Sequence, residues 1–252
     1  MSRARRLAVA GRPKERKRLR LHGSIARDLG ILIVSGRYRP GHVLDTEVDS
    51  SEQLRVSRTA YREAMKILAA KGLVEAKPRV GTRVNDPRQW RLLDPDVLTW
   101  MFSDEPEPEL LHSLFELRSI VEPQAAALAA HRRTQRDLDA MRAGLDAMRT
   151  HTLAKEAGRL GDQHFHEAVL LASGNRFLIS LTDGVTAAVA ALTEFKQRAR
   201  PLRRDPVPDH ERVYDALAAK DAEAAQRAMA ELIRLAILDT PIRRPKLKTL
   251  RS

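Results

Sequence analysis

From Glu109 to Asp239 the sequence is almost unbroken helical pattern, interrupted at Thr134, His151-Thr152, Ser173-Gly174, the segment ARPLRRDPVPD and Lys220. Apolar residues recur there at three- and four-residue spacing, the period of a helix with one buried face. Breaks this short leave consecutive helices no option but to fold back on one another, so the pattern predicts an antiparallel all-α bundle. The predicted helices run over 109–131, 134–150, 154–173, 175–200, 209–219 and 221–239.

The first third of the chain differs in charge. Residues 1–90 hold 21 Lys and Arg against 9 Asp and Glu, while the other 162 residues hold 24 of each sign, so the whole excess of +12 lies at the front. That division points to a polyanion-binding module joined to a neutral one. A solvated basic tail accounts for the arginines and lysines of residues 1–20, and the last dozen residues, 241–252, form a second basic tail. Neither tail explains VSRTAYREAMKILAAKGLV, residues 56–74. At 100° per residue Arg58, Thr59, Arg62, Glu63 and Lys66 share one arc, and Ala60, Tyr61, Ala64, Met65, Ile67 and Leu68 fill the rest. Ser57 is an N-cap and Gly72 stands where a left-handed C-terminal residue is expected.

Around this helix the pattern reads as an amphipathic helix over 21–36, a turn, a short helix over 47–54, the basic helix, and then two strands, 73–76 and 82–84, about the tip Lys77-Pro78-Arg79-Val80-Gly81. Helix, helix-turn-helix and hairpin is the order of a winged helix. In such a module the basic helix enters the major groove of double-stranded DNA, with Arg58, Arg62 and Lys66 toward bases and phosphates. Ser57 and Thr59 meet phosphate at its N-terminus, and Lys77 and Arg79 reach the flanking backbone or minor groove. A solvated surface helix is the plainer alternative. The fold class is therefore mainly α: a winged helix over 21–85, a docked linker over 86–108 and a helical bundle over 109–240.

The absence of cysteine removes disulfides, thiolate metal sites and cysteine nucleophiles, and suits a cytoplasmic protein. No apolar run is long enough to span a membrane, and no secretory signal is read at the N-terminus. Asp162 and His166, four apart, face one point on a helix. They read either as a helix-face ion pair, with His210 as a helix cap, or as metal ligands. His164 points elsewhere and Asn175 starts a helix.

The segments IVSGRYRPGHVL, VSRTAYREAMKILAAKGLV, VGTRV, FELRSIVEPQAAALAA and DQHFHEAVLLASGN resemble the GntR-type bacterial transcription regulators of the FadR subfamily, which carry an FCD effector domain. RQWRLLDPDVLTW is most similar to the branch that includes the D-galactonate-responsive repressor of sugar-acid catabolism. The resemblance implies a DNA-binding regulator and not an enzyme. Arg58, Thr59, Arg62 and Gly81 would contact operator DNA, and two protomers would pair through their effector domains. Many relatives carry a DNA-contacting arginine at the position of Val48 and a core leucine at that of Ser50, so the short second helix is not expected to read bases. The family's aspartate and first two histidines of a divalent metal site match Asp162, His166 and His210, and the fourth ligand falls at Leu232, which cannot ligate. Zn, Mn or Ni would suit the remaining donors. Arg118 matches an arginine that binds an effector carboxylate such as an aldonate, against a surface ion pair with Glu122. A metal-dependent hydrolase, an architectural nucleic-acid binder and an acyl-CoA effector stay open as alternatives.

Overall fold

The structure is a computed structural model and describes residues 13–45, 56–199 and 204–241. It divides into two compact units, Met1–Leu92 and Leu93–Ser252.

In the first unit helix α1 spans Pro13–Val34. The sequence pattern starts this helix at residue 21 and gives the residues before it to a tail, but the helix begins eight residues earlier. Proline costs nothing in a first turn, where its missing N–H would have no partner, and Lys14, Glu15, Arg16, Lys17, Arg18 and Arg20 are all good helix formers. Helix α2, Arg58–Ala70, is capped by Ser57, whose hydroxyl accepts from Ala60 N at 3.2 Å. Its buried face of Ala60, Tyr61, Ala64 and Leu68 packs on α1, whose Ile25, Ala26 and Ile33 are buried. The helix stops at Gly72, where φ is +74° and a β-carbon would stand 2.2 Å from Gln89 O, so only glycine fits. Strands β1, Val74–Lys77, and β2, Gly81–Val84, pair antiparallel with Val74 opposite Val84 and Lys77 opposite Gly81. Residues 41–44 run along β2's other edge through Leu44 N to Thr82 O and Val84 N to His42 O. The predicted short helix over 47–54, with Val48 and Ser50, lies outside the described residues.

The connector divides between the units. Its first part, with a 3-10 turn at Pro87–Gln89, is tied to the first unit by Arg91 N donating to Lys71 O at 3.0 Å. Its second part forms α3, Pro95–Met101, capped by Asp94 and buried through Val97, Leu98 and Trp100.

The second unit contains α4 (Pro108–Arg132), α5 (Gln135–His151), α6 (Glu156–Ala172), α7 (Arg176–Ser180), α8 (Thr182–Ala199), α9 (Val207–Ala218) and α10 (Ala222–Asp239). The pattern over 175–200 predicts one helix, but the chain turns at Leu181 and makes two. Asn175 caps the first by accepting from Phe177 N and Leu178 N. A turn there lets Leu178 and Leu181 pack on Val121, Ala125, Leu170 and Val185. Elsewhere the core centres on Leu98, Leu111, Met141, Leu145, Phe165, Leu192, Leu217 and Ile233, drawn from every long helix of the unit. Two close approaches set the helix register. A β-carbon at Gly161 would lie 2.7 Å from Gly144 O, and one at Gly144 would meet Gly161 O at 2.7 Å, so α5 and α6 touch backbone to backbone. A β-carbon at Gly184 would meet Leu93 at 2.7 Å, which seats the connector on α8. Among the described residues no helix is long and apolar enough to cross a membrane.

Candidate DNA-reading face and buried acid–histidine site

On α2 the side chains of Ser57, Arg58, Arg62 and Lys66 are exposed and Thr59 is half-buried, while the opposite face is core. Lys77, Arg79 and Gly81 are exposed on the hairpin. Arg79 has φ +63° and Gly81 φ +106°, so the tip turns through two left-handed residues. Two of these cations already have acid neighbours: Lys66 Nζ is 2.9 Å from Glu63 and Lys77 Nζ is 3.1 Å from Glu75. Both pairs are solvent-facing and worth little, so a phosphate can displace either acid at small cost. Arg83, which the sequence pattern does not single out, lies across the hairpin with its guanidinium 2.8 Å from Glu75.

In the second unit, five helices bring charged groups to one buried point. Asp162 and His166 come from α6, the first immediately after Gly161 and the second one further turn along the helix that the Gly144–Gly161 contact seats. His210 comes from the first turn of α9, Arg118 and Glu122 from α4, Thr193 and Lys196 from α8, and Leu232, Ala236 and Asp239 from α10. One donor atom from each of Asp162, His166 and His210 can lie within 4.8 Å of the other two, and all three side chains are buried. His164 is exposed, on the other side of the same helix.

The histidine tautomers decide what the cluster can hold. His210 Nδ1 lies 2.8 Å from Pro206 O, an acceptor only, so Nδ1 carries the proton. Its buried Nε2 then faces Asp162 Oδ1 at 3.0 Å, without the alignment of a hydrogen bond. His166 repeats the arrangement: Nδ1 is 2.5 Å from Glu122 Oε2, a separation that needs a proton between two acceptors even though the contact is bent, and Nε2 lies 3.7 Å from Asp162 Oδ1. With each Nδ1 holding a proton, the two Nε2 atoms and an Asp162 oxygen converge, and either a second proton on an imidazole or a metal ion would neutralise the carboxylate there. Glu122 and Pro206 O then orient the rings from behind, as outer partners of metal-bound histidines do.

Burial pushes the Asp162 carboxyl up, but His210, His166 and Lys196 outweigh it and hold the group well below the usual carboxylate range. Burial also opposes ionisation of Glu122, and Arg118 with His166 brings its pKa down to about 2. Thr193 Oγ1 donates to Asp162 Oδ2 at 3.0 Å.

Arg118 lines this site with its Nε donating to Glu122 Oε1 at 2.6 Å. The pairing with Glu122 exists, but inside: the two side chains are 2% and 1% exposed, so a surface ion pair is corrected to a buried one. Nothing in the sequence singles out Lys196. It is 6% exposed, makes no ion pair with a described carboxylate, and has its pKa lowered to about 8, mainly by burial. Arg204, equally inconspicuous in the sequence, pairs with Asp209 and, through Nε at 2.8 Å, with Asp239. Leu232 lines the cavity where the resemblance calls for a fourth histidine, and it offers only methyl groups.

Known proteins match both units. Residues 21–84 match the gntR family of bacterial regulatory proteins, and residues 113–235 match the FCD domain. The galactonate operon transcriptional repressor of Escherichia coli is 33% identical over 206 residues, spanning 81% of this chain and 90% of that one. The Glc operon transcriptional activator of Escherichia coli is 30% identical across 83% of this chain and 85% of its own length. The regulator LutR of Bacillus subtilis is 32% identical across 79% and 91%. A solved structure of Lar, which controls expression of the Listeria monocytogenes agr system, superposes with a TM-score of 0.62 at 17% identity over 87% of this chain and 95% of that one, a likeness of fold alone. Both modules occur in one chain, in this order, and relatives match over most of their length; the family is one of transcription regulators and not of enzymes. The chain belongs to the GntR family of bacterial transcription regulators, with a DNA-binding winged helix followed by an FCD domain.

Proposed function

We propose that this regulator grips a palindromic operator as a homodimer, and that a small carboxylate of the sugar-acid class, bound at the buried site of the FCD domain, alters that grip. The observation that carries the reading is the meeting of one nitrogen from each of His166 and His210 with an Asp162 oxygen, within 4.8 Å of one another and beside the buried cations Arg118 and Lys196, inside the bundle. Asp162, His166 and His210 would hold a divalent ion such as Zn, Mn or Ni, with Glu122 orienting His166. When bound, such an ion supplies a Lewis-acid anchor for carboxylate and hydroxyl oxygens. Arg118 and Lys196 compensate the acid's charge. Support for the acid class comes from the relative named as the galactonate operon repressor. The Glc operon relative is an activator, so repression rests on the galactonate relative alone.

On DNA, Arg58, Arg62 and Lys66 face the major groove, Ser57 and Thr59 meet phosphate, and Lys77, Arg79 and Gly81 lie along the flanking backbone. Footprinting at cellular ionic strength on the promoters nearest the gene checks the whole reading: protection that shifts on adding D-galactonate or a related aldonate is expected, and protection indifferent to every acid sinks the sensor. Calorimetry adds a residue-level check. Arg118→Ala is expected to weaken the cognate acid at least tenfold, since a charge-assisted hydrogen bond contributes about 1.5–3 kcal/mol.

A further inference from the structure

The cavity at the acid–histidine site has a volume of about 20 Å³, room for one water or one ion and not for an organic acid of any length. Immediately beside it is a surface hollow of about 520 Å³. Leu153, Arg204 and Pro206 line both, so a wall of three side chains separates the two spaces. Resting on the reading of this site as an acid sensor, we propose that the outer hollow is the second half of the effector site. The effector is then an elongated polyhydroxy monocarboxylate of about four to six carbons, with its carboxylate at the partition, where opening of the wall brings it against Arg118 and the ion of the inner chamber, and its hydroxylated tail in the hollow.

The lining suits that division of labour. Inside are the cations Arg118 and Lys196. Outside, Thr152 and Gln197 offer hydroxyl and amide groups next to the apolar faces of Met148 and Val207, the mixture of hydrogen-bonding groups and C–H surface that a sugar-acid chain presents. Gln197 makes no hydrogen bond to a described residue, and its neighbour Lys196 lines the inner chamber, so one turn of α8 serves both sides of the wall.

The wall is held under strain. Thr152 has φ +53° and ψ 165°, a region otherwise reserved for glycine and particularly unfavourable for a β-branched residue. Residue 158 is glycine because a β-carbon there would fall 1.8 Å from Thr152 O, and Arg159 donates to Ala154 O at 3.1 Å, fixing the corner from the other side. The corner presses Leu153 into the partition, where it is 5% exposed. Arg204, the other movable part, is pinned by Asp209 and Asp239, both of which an incoming anion would compete with. Relaxation of Thr152 together with release of Arg204 joins the two spaces.

Titration calorimetry of the full chain with glycolate, the two-carbon acid, and with the six-carbon aldonates D-galactonate, D-gluconate and D-mannonate tests this. Gln197→Leu, a volume-conserving change on a half-exposed position, is expected to weaken the best aldonate about tenfold and glycolate less than twofold. Leu153→Trp, which blocks the wall, is expected to act in the same direction. Tenfold corresponds to about 1.4 kcal/mol, the scale of one lost hydrogen bond. If aldonates bind and Gln197→Leu weakens both acids equally or neither, or if only glycolate binds, the two-chamber site is overturned while the acid sensor stands. If the wild-type protein binds none of these acids, both fall.

Discussion

At the buried site Glu122 faces Arg118 with one carboxylate oxygen and His166 with the other, so a single acid orients both the expected effector arginine and an expected metal ligand. Replacing it with glutamine keeps the shape but leaves a buried guanidinium without its counter-charge. Glu122→Gln is therefore expected to cost about 3–5 kcal/mol in denaturant unfolding and to reduce metal affinity roughly 10–100-fold. The pH dependence follows from the same group. Its pKa in the folded chain, about 2, is depressed below the ordinary 4.5, so its contribution is complete above pH 4.5 and is lost as pH falls toward 2. Lys196 behaves in the opposite sense. With a folded value near 8 against 10.5, the unfolded chain binds more protons between those values, so stability rises with pH across that window. Lys196→Met, measured with chelator present, is expected to abolish that rise and to add on the order of 2 kcal/mol at neutral pH. In the sequence the aspartate and histidines of the site can be picked out by spacing and resemblance, and Glu122 can be seen four residues from Arg118. Lys196 gives no signal: in LTEFKQRAR a lysine beside glutamate and arginines has the character of a solvated face, and only the packing of α8 turns it inward.

Among the helices, glycine marks where backbone contact matters and where it does not. Gly161 on α6 touches Gly144 on α5, and the register this sets carries Asp162 and His166 to the interior. Gly161→Ala is expected to destabilise by about 1–3 kcal/mol, since the β-carbon must push two backbones apart, and to weaken metal binding with it. At Gly23, inside α1, a β-carbon would meet nothing within 4 Å, and Gly23→Ala is expected to stabilise by roughly 0.5–1 kcal/mol. Thermal unfolding of the pair separates a packing glycine from an idle one. Element types are mostly legible in the sequence because amphipathic periodicity with Ser57, Thr134 and Asn175 as caps is local information. The departures are of two kinds. The N-terminal limit of α1 is hidden by charge, which reads as a tail although arginine and lysine are good helix formers. The break at Leu181 is hidden because both flanking segments have helical period, and it is tertiary packing that rewards the turn.

For the whole molecule, the confinement of the +12 excess to the first 90 residues makes DNA affinity steeply salt-dependent. Arg58→Ala is expected to reduce the slope of log K against log salt by about 0.9 for the one phosphate or groove contact removed, with the preference for operator over random duplex falling if the contact is to a base. Fluorescence anisotropy over a salt series with both duplexes distinguishes these cases. By itself the sequence determined the two modules, the signs of their charge, the polar arc of α2 and the spacing that sets Asp162 beside His166, since each depends on residues within a few turns of one another. That Glu122 lies behind His166, that Lys196 and Arg204 join the site, and that a strained Thr152 holds Leu153 between two cavities emerges from the packing of the helices. Those facts depend on which faces of five helices meet, and helix–helix registry is fixed by side-chain packing and glycine contacts far apart in the chain, for which the local period carries no information.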